Sequence, residues 1–256
     1  MDAVTHYAWF GAGLLLMTAL TVGLGRWAGT GLGAFPLWAL GRAVVQLTVV
    51  ALLLRGILSV PWTVAAFVVL MLSTASLTAM ARIRELWHGR TAAVLGVLAG
   101  SLATLVVIFA LRLVDVQVRY VVAVGGIIIG DSMSAATLAG RNFLRGARAR
   151  VDEVEAWLSL GATPSQAHED IGREAVRESL IPTLDQTKST GLVTLPGAFV
   201  GALFGGASPA VAAQFQLVVL AGIALTMTIT GIVVTRLAGR SPYVQPTPDV
   251  IAGRRR

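Results

Sequence analysis

The chain has 256 residues, of which 55% are apolar and only 13% are charged, and its formal net charge is +7. About a quarter of the residues are charged in an ordinary soluble domain, so this composition excludes a typical water-soluble globular protein. The sequence contains no cysteine, which excludes disulfides, thiolate metal sites and cysteine catalysis. Several apolar runs reach the roughly 20 residues that cross a bilayer. The sequence therefore predicts an all-α, polytopic bundle of membrane helices.

Seven membrane spans are predicted along the chain. The Gly-rich stretch GTGLG closes the first, Pro61 opens the third, and Pro209 separates the sixth from the seventh. The N-terminal stretch MDAVTHYAWFGAG has no positive n-region, so the first apolar run is expected to stay as a span rather than be cleaved as a signal peptide. The predicted spans are residues 8–25, 37–54, 61–81, 91–111, 120–139, 189–206 and 211–237.

These spans define one membrane domain with four parts. Residues 1–140 hold spans one to five, and residues 141–188 form a cytoplasmic coupling segment of two helices. Residues 189–238 hold spans six and seven, and residues 239–256 are expected to be a disordered basic tail.

The distribution of basic residues predicts the orientation of the chain. With the N-terminus outside, the inside loops hold 16 of the 20 lysines and arginines and the outside loops hold three, while Arg42 lies in a span. Because positive loops stay cytoplasmic, we expect an outside N-terminus and a cytoplasmic C-terminus. The net charge then needs no nucleic-acid partner, and the arginines of the tail can contact anionic membrane lipid.

The segment 141–188 has the character of a folded elbow rather than a linker. The stretch VDEVEAWLSLGA predicts one helix, ended by Gly161 and Pro164. The stretch SQAHEDIGREAVRESL predicts a second, with Ser165 as its cap. Its apolar face consists of Ala167, Ile171, Ala175 and Val176. Such a face either packs on the membrane domain or binds a partner, and periodicity leaves both readings open.

The first helix of this elbow carries a recognisable spacing. Glu155, Ala156 and Trp157 are followed by three residues and then Gly161. This spacing resembles the EAA loop of ABC transporter permeases, although Trp157 stands where that loop has a second alanine. The resemblance implies that these four residues shape a helix that docks into a groove of a cytosolic ATPase.

The sixth predicted span combines breakers with small residues. Gly197, Gly201 and Gly205 are four apart, a face that lets membrane helices approach closely. Pro196 is expected to bend or break the helix near its start. These residues predict a hinge or a contact between subunits, and the alternative is ordinary close packing inside one subunit.

The junction between the elbow and this span contains further hinge candidates. Pro182 lies there, together with Asp185 and Lys188, which are three residues apart. The two charged residues can form a local ion pair that stiffens the junction, although exposed pairs contribute little stability.

Two ionisable residues fall inside other predicted spans. Arg42 has Gln46 one helical turn later, and Asp131 precedes Met133 by two residues. A charge inside a span usually faces a cavity or a partner, so Arg42 and Asp131 are predicted to pair or to line one transport path. The alternative for Arg42 is that its side chain reaches the membrane surface.

Enzymatic readings fail on the residues present. An intramembrane aspartyl protease needs two aspartates, and only Asp131 lies deep in a span. No GxxxxGK[ST] motif exists, because Lys188, the single lysine, is preceded by TLDQT. The chain is therefore predicted not to be an enzyme and not to bind ATP through a P-loop.

Four stretches of the sequence are informative together: GRAVVQL (41–47), IIGDSM (128–133), LSLGATPSQA (158–167) and LIPTLDQTKSTGLVTLPGAFVGALFGGASP (180–209). They resemble the FetB (YbbM) family of ABC permeases, which includes bacterial iron exporters and plant proteins linked to aluminium tolerance. The resemblance implies a homodimeric permease in the bacterial plasma membrane, paired with a separate cytosolic ATPase that binds ATP and Mg. It implies export of metal, with iron as the cargo. Asp131 departs from the asparagine expected there.

The residues themselves give little about the cargo. Without cysteine or a membrane histidine, a tight soft-metal site is not expected. Asp131, Gln46, Met133 and backbone carbonyls can form a transient oxygen-rich path, or the cargo is a chelate. Two other functions stay open: a secondary transporter that works without an ATPase and uses Asp131 for proton or cation coupling, and a membrane scaffold that transports nothing.

Overall fold

The computed structural model describes residues 3–57 and 61–242 of the chain. This part of the chain contains ten α-helices and no β-strand apart from one isolated bridge, which confirms the predicted all-α membrane bundle. The helices are α1 (Ala3–Trp27), α2 (Phe35–Ile57), α3 (Pro61–Arg82), α4 (Gly89–Ala110), α5 (Val118–Ala149), α6 (Val151–Ser159), α7 (Pro164–Ala167), α8 (Glu169–Ser189), α9 (Gly197–Phe204) and α10 (Pro209–Ala238).

The chain forms two compact units, Met1–Pro61 and Trp62–Arg256. In the first unit α1 and α2 pack against each other. Six helices among the described residues, α1 to α5 and α10, are long and apolar enough to cross a membrane. They correspond to six of the seven predicted spans.

The core of the second unit is built by α4, α5 and α10. A Cβ on Gly222 of α10 would lie 2.8 Å from Ile128 of α5, and a Cβ on Gly231 would lie 3.7 Å from Ala139. Residue numbers at the contacts therefore increase in the same direction along α5 and α10, so these two helices run parallel. Helix α4 runs antiparallel to both, because Gly96 meets Val234 whereas Thr104 meets Gly222.

The predicted sixth span, 189–206, does not form a single helix. Helix α8 continues unbroken to Ser189, a turn follows, and α9 has only eight residues. The turn contains Gly191 at φ +90°, and Pro196 precedes α9 in an extended conformation. Because a left-handed residue and an extended proline both interrupt helical hydrogen bonding, the chain breaks here.

Helices α8 and α9 together carry the chain from one end of the bundle to the other. Val176 of α8 packs on Gly231 of α10. Beyond Val176, α8 rises about 20 Å and α9 about 12 Å at the helical rise per residue, and α10 rises about 33 Å between Pro209 and Gly231. The summed length of these parts of α8 and α9 therefore matches the length of α10 between Pro209 and Gly231. The break between α8 and α9 lies within that length. The chain thus crosses the bundle between α5 and α10 as a helix, α8 and α9, that is interrupted about two-thirds of the way along.

Basic residues gather at one end of the second unit. The connection between α3 and α4 meets the end of α5 there, because a Cβ on Gly140 would lie 2.8 Å from Ile83. The end of α10 joins them, since Gly239 approaches His168 and Phe143. The arginines at this end are Arg82, Arg84, Arg90, Arg141, Arg145, Arg148, Arg150, Arg173, Arg236 and Arg240. The predicted tail, 239–256, lies outside the described residues beyond Pro242.

Two adjoining caps fix the connection between α6 and α7. Gly161 has φ +89°, its N–H donates to Leu158 O, and the Ala162 N–H donates to Trp157 O at 3.0 Å. This pattern is a Schellman motif, and it requires the left-handed conformation that glycine adopts readily. Thr163 and Gln166 then form a capping box at the start of α7.

The predicted cap of the second elbow helix was therefore wrong. Thr163 caps it instead of Ser165, because Pro164 occupies the first helical position and brings the start of the helix forward. The predicted single helix is also divided at His168, which separates α7 from α8.

Candidate functional site

The elbow formed by α6, α7 and α8 is anchored on the bundle by its apolar face. Val154 of α6 is fully buried in the main core cluster. Ala167, Ile171 and Ala175 lie in the same cluster and are almost fully buried. The predicted apolar face is therefore confirmed, and it packs on the membrane bundle.

Two large apolar side chains near the C-terminal end of α6 are exposed. Trp157 is 50% exposed and Leu160 is 81% exposed. They border a groove of about 550 Å³ between α6 and the start of α8. Glu155 and Ala156 are exposed beside it. The groove is lined by Glu153, Trp157, Leu160, Gly161, Ala162, Gln166, Ala167, Glu169, Asp170, Ile171 and Arg173. A groove with an apolar rim, three carboxylates and one arginine suits a partner surface that is apolar and basic.

Two ion pairs lie at the junction between α5 and α6. Arg148 donates to Glu85 at 3.0 Å and so joins the end of α5 to the α3–α4 connection. Arg150 pairs with Glu174 of α8. Such partly exposed pairs contribute about 0–1 kcal/mol each, so their main effect is to fix positions rather than to stabilise the fold.

A second cavity, of about 560 Å³, lies between the start of α8 and the end of α10. Arg173, Arg236 and Arg240 are among its lining residues. His168 closes one side, where its Nδ1 lies 2.8 Å from Pro164 O and its ring packs against Phe143. The cavity therefore lies beside the contact between the elbow and the end of the last membrane helix.

The predicted junction residues lie along the interrupted crossing. Pro182 is inside α8, and Lys188 Nζ donates to Asp185 Oδ1 at 2.9 Å. The side chains of this pair are 78% and 61% exposed. Pro196 and Gly197 stand at the start of α9. The ion pair is present, and the roles predicted for these five residues stay predictions.

The glycine face of α9 is open. A Cβ on Gly197 or on Gly201 would meet no atom within 4 Å, and a Cβ on Gly205 would meet only the carbonyls of Ala202 and Gly201. The three glycines therefore do not pack against another part of the chain that the structure describes.

The close helix approach inside the chain lies elsewhere, at Gly96 and Gly100 of α4. A Cβ on Gly100 would lie 2.0 Å from Thr230 Oγ1. Thr230 Oγ1 donates to Gly96 O at 3.1 Å, and Ser101 shares a 2.8 Å hydrogen bond with Ser132. This contact was not predicted, although the spacing GVLAG in the fourth span carries the same pattern of small residues.

Asp131 is half-buried on α5, within the membrane-spanning part of that helix. It has no ion-pair partner within residues 3–57 and 61–242. Met133 is partly buried and packs on the main core cluster. Asp131 therefore presents a carboxylate in a span where charge is costly.

Arg42 and Gln46 are exposed on one face of α2. The guanidinium carbon of Arg42 lies 5.5 Å from the ring centroid of Trp38, which is a cation–π contact. Because Arg42 and Asp131 belong to different units, their pairing stays a prediction. Over the described ranges, no group of three or more histidine, aspartate or glutamate side chains is placed to hold a metal ion.

Comparison with known proteins identifies relatives along most of the chain. The profile described as "Uncharacterised protein family (UPF0014)" matches residues 10–243. The "UPF0014 membrane protein slr1647" of Synechocystis is 33% identical over 95% of this chain and 96% of its own length. "Protein ALUMINUM SENSITIVE 3" of Arabidopsis thaliana is 31% identical over 91% of this chain and 86% of its own length.

A bacterial relative carries a functional name. "Probable iron export permease protein FetB" of Escherichia coli is 31% identical over 81% of this chain and 81% of its own length. No solved structure matches the chain. With a matching profile over almost the whole sequence and several membrane-long apolar helices, this multi-pass membrane protein belongs to the UPF0014 family, which includes the FetB permease.

Proposed function

We propose that the chain is the permease subunit of an ABC transporter that exports metal, powered by a separate cytosolic ATPase. The observation that carries the proposal is the groove beside Trp157 and Leu160, on an elbow anchored to the bundle by buried Val154. Exposed tryptophan and leucine on a rigid support are typical of a binding surface. The name of the FetB relative supports iron as the cargo.

The elbow is connected so that movement of α6 reaches the membrane helices. Only Arg150 separates α5 from α6, and the Schellman motif with the capping box joins α6 to α7. In the proposed mechanism, the partner binds ATP and Mg and closes on them. Glu155, Ala156, Trp157 and Gly161 shape the docking helix, and α5 and α8 receive its displacement.

The arginine-rich end of the second unit supports the proposed orientation. Because basic loops stay cytoplasmic, this end faces the cytoplasm in a bacterial plasma membrane. The predicted outside N-terminus and cytoplasmic C-terminus agree with a return crossing by α8 and α9. Two permeases and two ATPases make up the proposed assembly.

The proposed cargo path uses weak oxygen ligands. Asp131 supplies a carboxylate at membrane depth, and Gln46 and backbone carbonyls supply neutral oxygens, whereas Met133 supplies a thioether. Weak ligands suit an exporter, because the cargo must also leave.

Co-purification tests the docking surface. The tagged chain is co-expressed, one at a time, with the ABC ATPases of its own genome that lack a membrane domain. We expect one of them to be retained, and we expect the double variant Trp157→Ala/Leu160→Asp to reduce retention at least about tenfold, as for loss of an interface anchor. Glu178→Ala, an exposed change on α8 outside the groove, is the matched control. Retention of no ATPase, or equal retention by the double variant, contradicts the proposal.

A second candidate function rests on Asp131. A half-buried carboxylate in a span, without an ion-pair partner in the described ranges, suits a residue that binds a proton or cation during secondary transport. Proteoliposomes with a proton gradient and no ATPase distinguish the two functions. Metal transport there, abolished by Asp131→Asn, supports secondary transport and contradicts ATP dependence.

A further inference from the structure

We propose that the cavity between the start of α8 and the end of α10 binds the phosphate group of an anionic ligand, and that a membrane phospholipid supplies it. The cavity lies on the α10 side of the elbow, whereas the groove beside Trp157 lies on the α6 side. A ligand in this cavity would join the elbow to the last membrane helix. The inference does not depend on the proposed transport function.

The cavity carries an excess of positive charge. Three arginines, Arg173, Arg236 and Arg240, and one carboxylate, that of Glu169, are among its lining groups. Arg173 pairs with Glu169 and Asp170, so its charge is already compensated. Arg236 and Arg240 have no ion-pair partner in the described part of the chain. These two guanidinium groups therefore favour an anion that comes from elsewhere.

The spacing of these two arginines suits a single phosphate. They are four residues apart, and the helical turn continues between them, because Gly239 keeps right-handed angles and its N–H donates to Thr235 O at 2.8 Å. Side chains four apart on a helix are neighbours, and two like charges placed in this way repel each other. Guanidinium groups bind phosphate oxygens through paired N–H donors. A phosphate between Arg236 and Arg240 would thus replace repulsion by attraction.

The helix dipole accounts for only part of this arrangement. Arginine in the last turn of a helix interacts favourably with the dipole, and Arg236 lies in the last turn of α10. The dipole does not explain why Arg236 and Arg240 both border a concave space of about 560 Å³. That volume lies in the range of small-ligand sites.

The apolar wall of the cavity indicates a phospholipid as the source of the phosphate. Val176 of α8 and Ile232 of α10 line this wall, and Ile232 is 37% exposed. Ile232 lies one turn closer than Arg236 to the middle of α10, a helix long and apolar enough to cross the membrane. The cavity is therefore basic at its outer end and apolar towards the bilayer. Basic pockets between membrane helices bind anionic lipid headgroups, and the adjoining acyl chains suit an apolar wall.

The chain's own C-terminal residues are a poor source of the anion. Residues 243–256 contain three arginines and one aspartate, Asp249. Their net charge is positive, so the arginines of the cavity would repel this segment. The anionic headgroup of a phospholipid carries the opposite charge.

Thiol protection tests the site, because the chain has no cysteine of its own. Ser165→Cys is the probe, since Ser165 is exposed and lines the cavity. Ser159→Cys is the matched control, since Ser159 is exposed outside it. The purified full chain in detergent micelles is labelled with an uncharged maleimide, with either phosphatidylglycerol or phosphatidylcholine of the same acyl chains.

Phosphatidylglycerol, titrated to about ten times its dissociation constant, should slow labelling of Ser165→Cys about tenfold, because about a tenth of the sites are then unoccupied. Phosphatidylcholine should slow it much less, and Ser159→Cys should react at the same rate in both lipids. Equal labelling of Ser165→Cys in the two lipids, or equal slowing of the two cysteines, overturns the proposal.

A soluble phosphate separates the two sources of the anion. Glycerol 3-phosphate carries the phosphate without acyl chains, and we expect it not to protect Ser165→Cys at the concentrations at which phosphatidylglycerol does. Protection as strong as that by phosphatidylglycerol would overturn the phospholipid as the source.

Charge variants test the two arginines. In the Ser165→Cys background, Arg236→Gln/Arg240→Gln should weaken phosphatidylglycerol binding at least about tenfold, as for loss of two basic contacts to anionic lipid. An unchanged labelling rate without lipid will show that the elbow stays folded. Arg84→Gln/Arg90→Gln removes the same charge from exposed positions outside the cavity and should leave protection intact. Equal effects of the two double variants contradict the site. No readout involves an ATPase, so co-purification judges the proposed function separately.

Discussion

The same spacing of small residues occurs twice in the second unit with opposite results. Gly96 and Gly100 of α4 lie against α10, where a Cβ on Gly100 would clash with Thr230 at 2.0 Å. Gly197 and Gly201 of α9 face open space, with no atom within 4 Å of an added Cβ. Spacing thus shows that a helix can be approached closely, while the fold decides whether the approaching helix belongs to the same chain.

The largest expected effect is a difference in the free energy of unfolding between valine substitutions on these two glycine faces. Gly100→Val would force α4 and α10 apart, and overpacking of this kind costs at the upper end of about 1–3 kcal/mol. Gly201→Val should change the free energy of unfolding by no more than about 0.5 kcal/mol, as for other uncontacted positions. Unfolding of each variant by SDS in mixed micelles, at a dilution that keeps the chain monomeric, measures both values.

Helix α4, which carries Gly96 and Gly100, also offers a matched control for these two variants. Ala92 and Ala93 also lie on α4 and are fully buried, so Ala93→Val reports the general cost of overpacking this helix. Equal destabilisation by Gly100→Val and Gly201→Val would show that both faces are closed within the chain.

A second contrast lies within α6, between its buried Val154 and its half-exposed Trp157. Val154→Ala removes two buried methyl groups and should cost about 2 kcal/mol of the free energy of unfolding. Trp157→Ala removes a half-exposed ring and should cost less than half as much, while weakening ATPase retention more than Val154→Ala does. The pair is measured by SDS unfolding and by co-purification side by side. The reverse order in the unfolding measurements would mean that Trp157, and not Val154, anchors the elbow.

The smallest expected effect compares the cap that the structure uses with the one that the sequence favoured. Thr163→Ala removes half of the capping box and should cost about 1 kcal/mol. Ser165→Ala should be neutral, because Ser165 is exposed and caps no helix. Hydrogen exchange of the Gln166 amide reports the difference locally. Faster exchange in the Ser165 variant than in the Thr163 variant would restore Ser165 as the cap.

The sequence predicted well those features that depend on local pattern. Long apolar runs gave six spans, and helical periodicity identified the buried face of Ala167, Ile171 and Ala175. The ion pair of Asp185 and Lys188 followed from their spacing of three. Each of these depends on neighbours within a few turns of one helix.

Features that depend on competition between signals were harder to predict. The sixth span was predicted to continue through Gly191 and Pro196 because the stretch is apolar. The left-handed Gly191 and the extended Pro196 instead break the helix there. The second elbow helix was predicted over a stretch that ends at Leu180, yet α8 continues to Ser189, and this helix packs on α5 and α10. The partner of each glycine face depends on which helices become neighbours, and no local pattern contains that information.

Helix α5 is longer than the hydrocarbon layer of a membrane is thick. Its 32 residues form a rod of about 48 Å, whereas the hydrocarbon layer is about 30 Å thick. The part of α5 that exceeds the hydrocarbon thickness carries Arg148, which pairs with Glu85. Only Arg150 separates the end of α5 from α6. A tilt of roughly five degrees about the middle of such a rod swings its tips by about 2 Å in opposite directions. A lever of this shape would turn a small push beneath the bilayer into an opposite movement near the far surface, with no joint along its length.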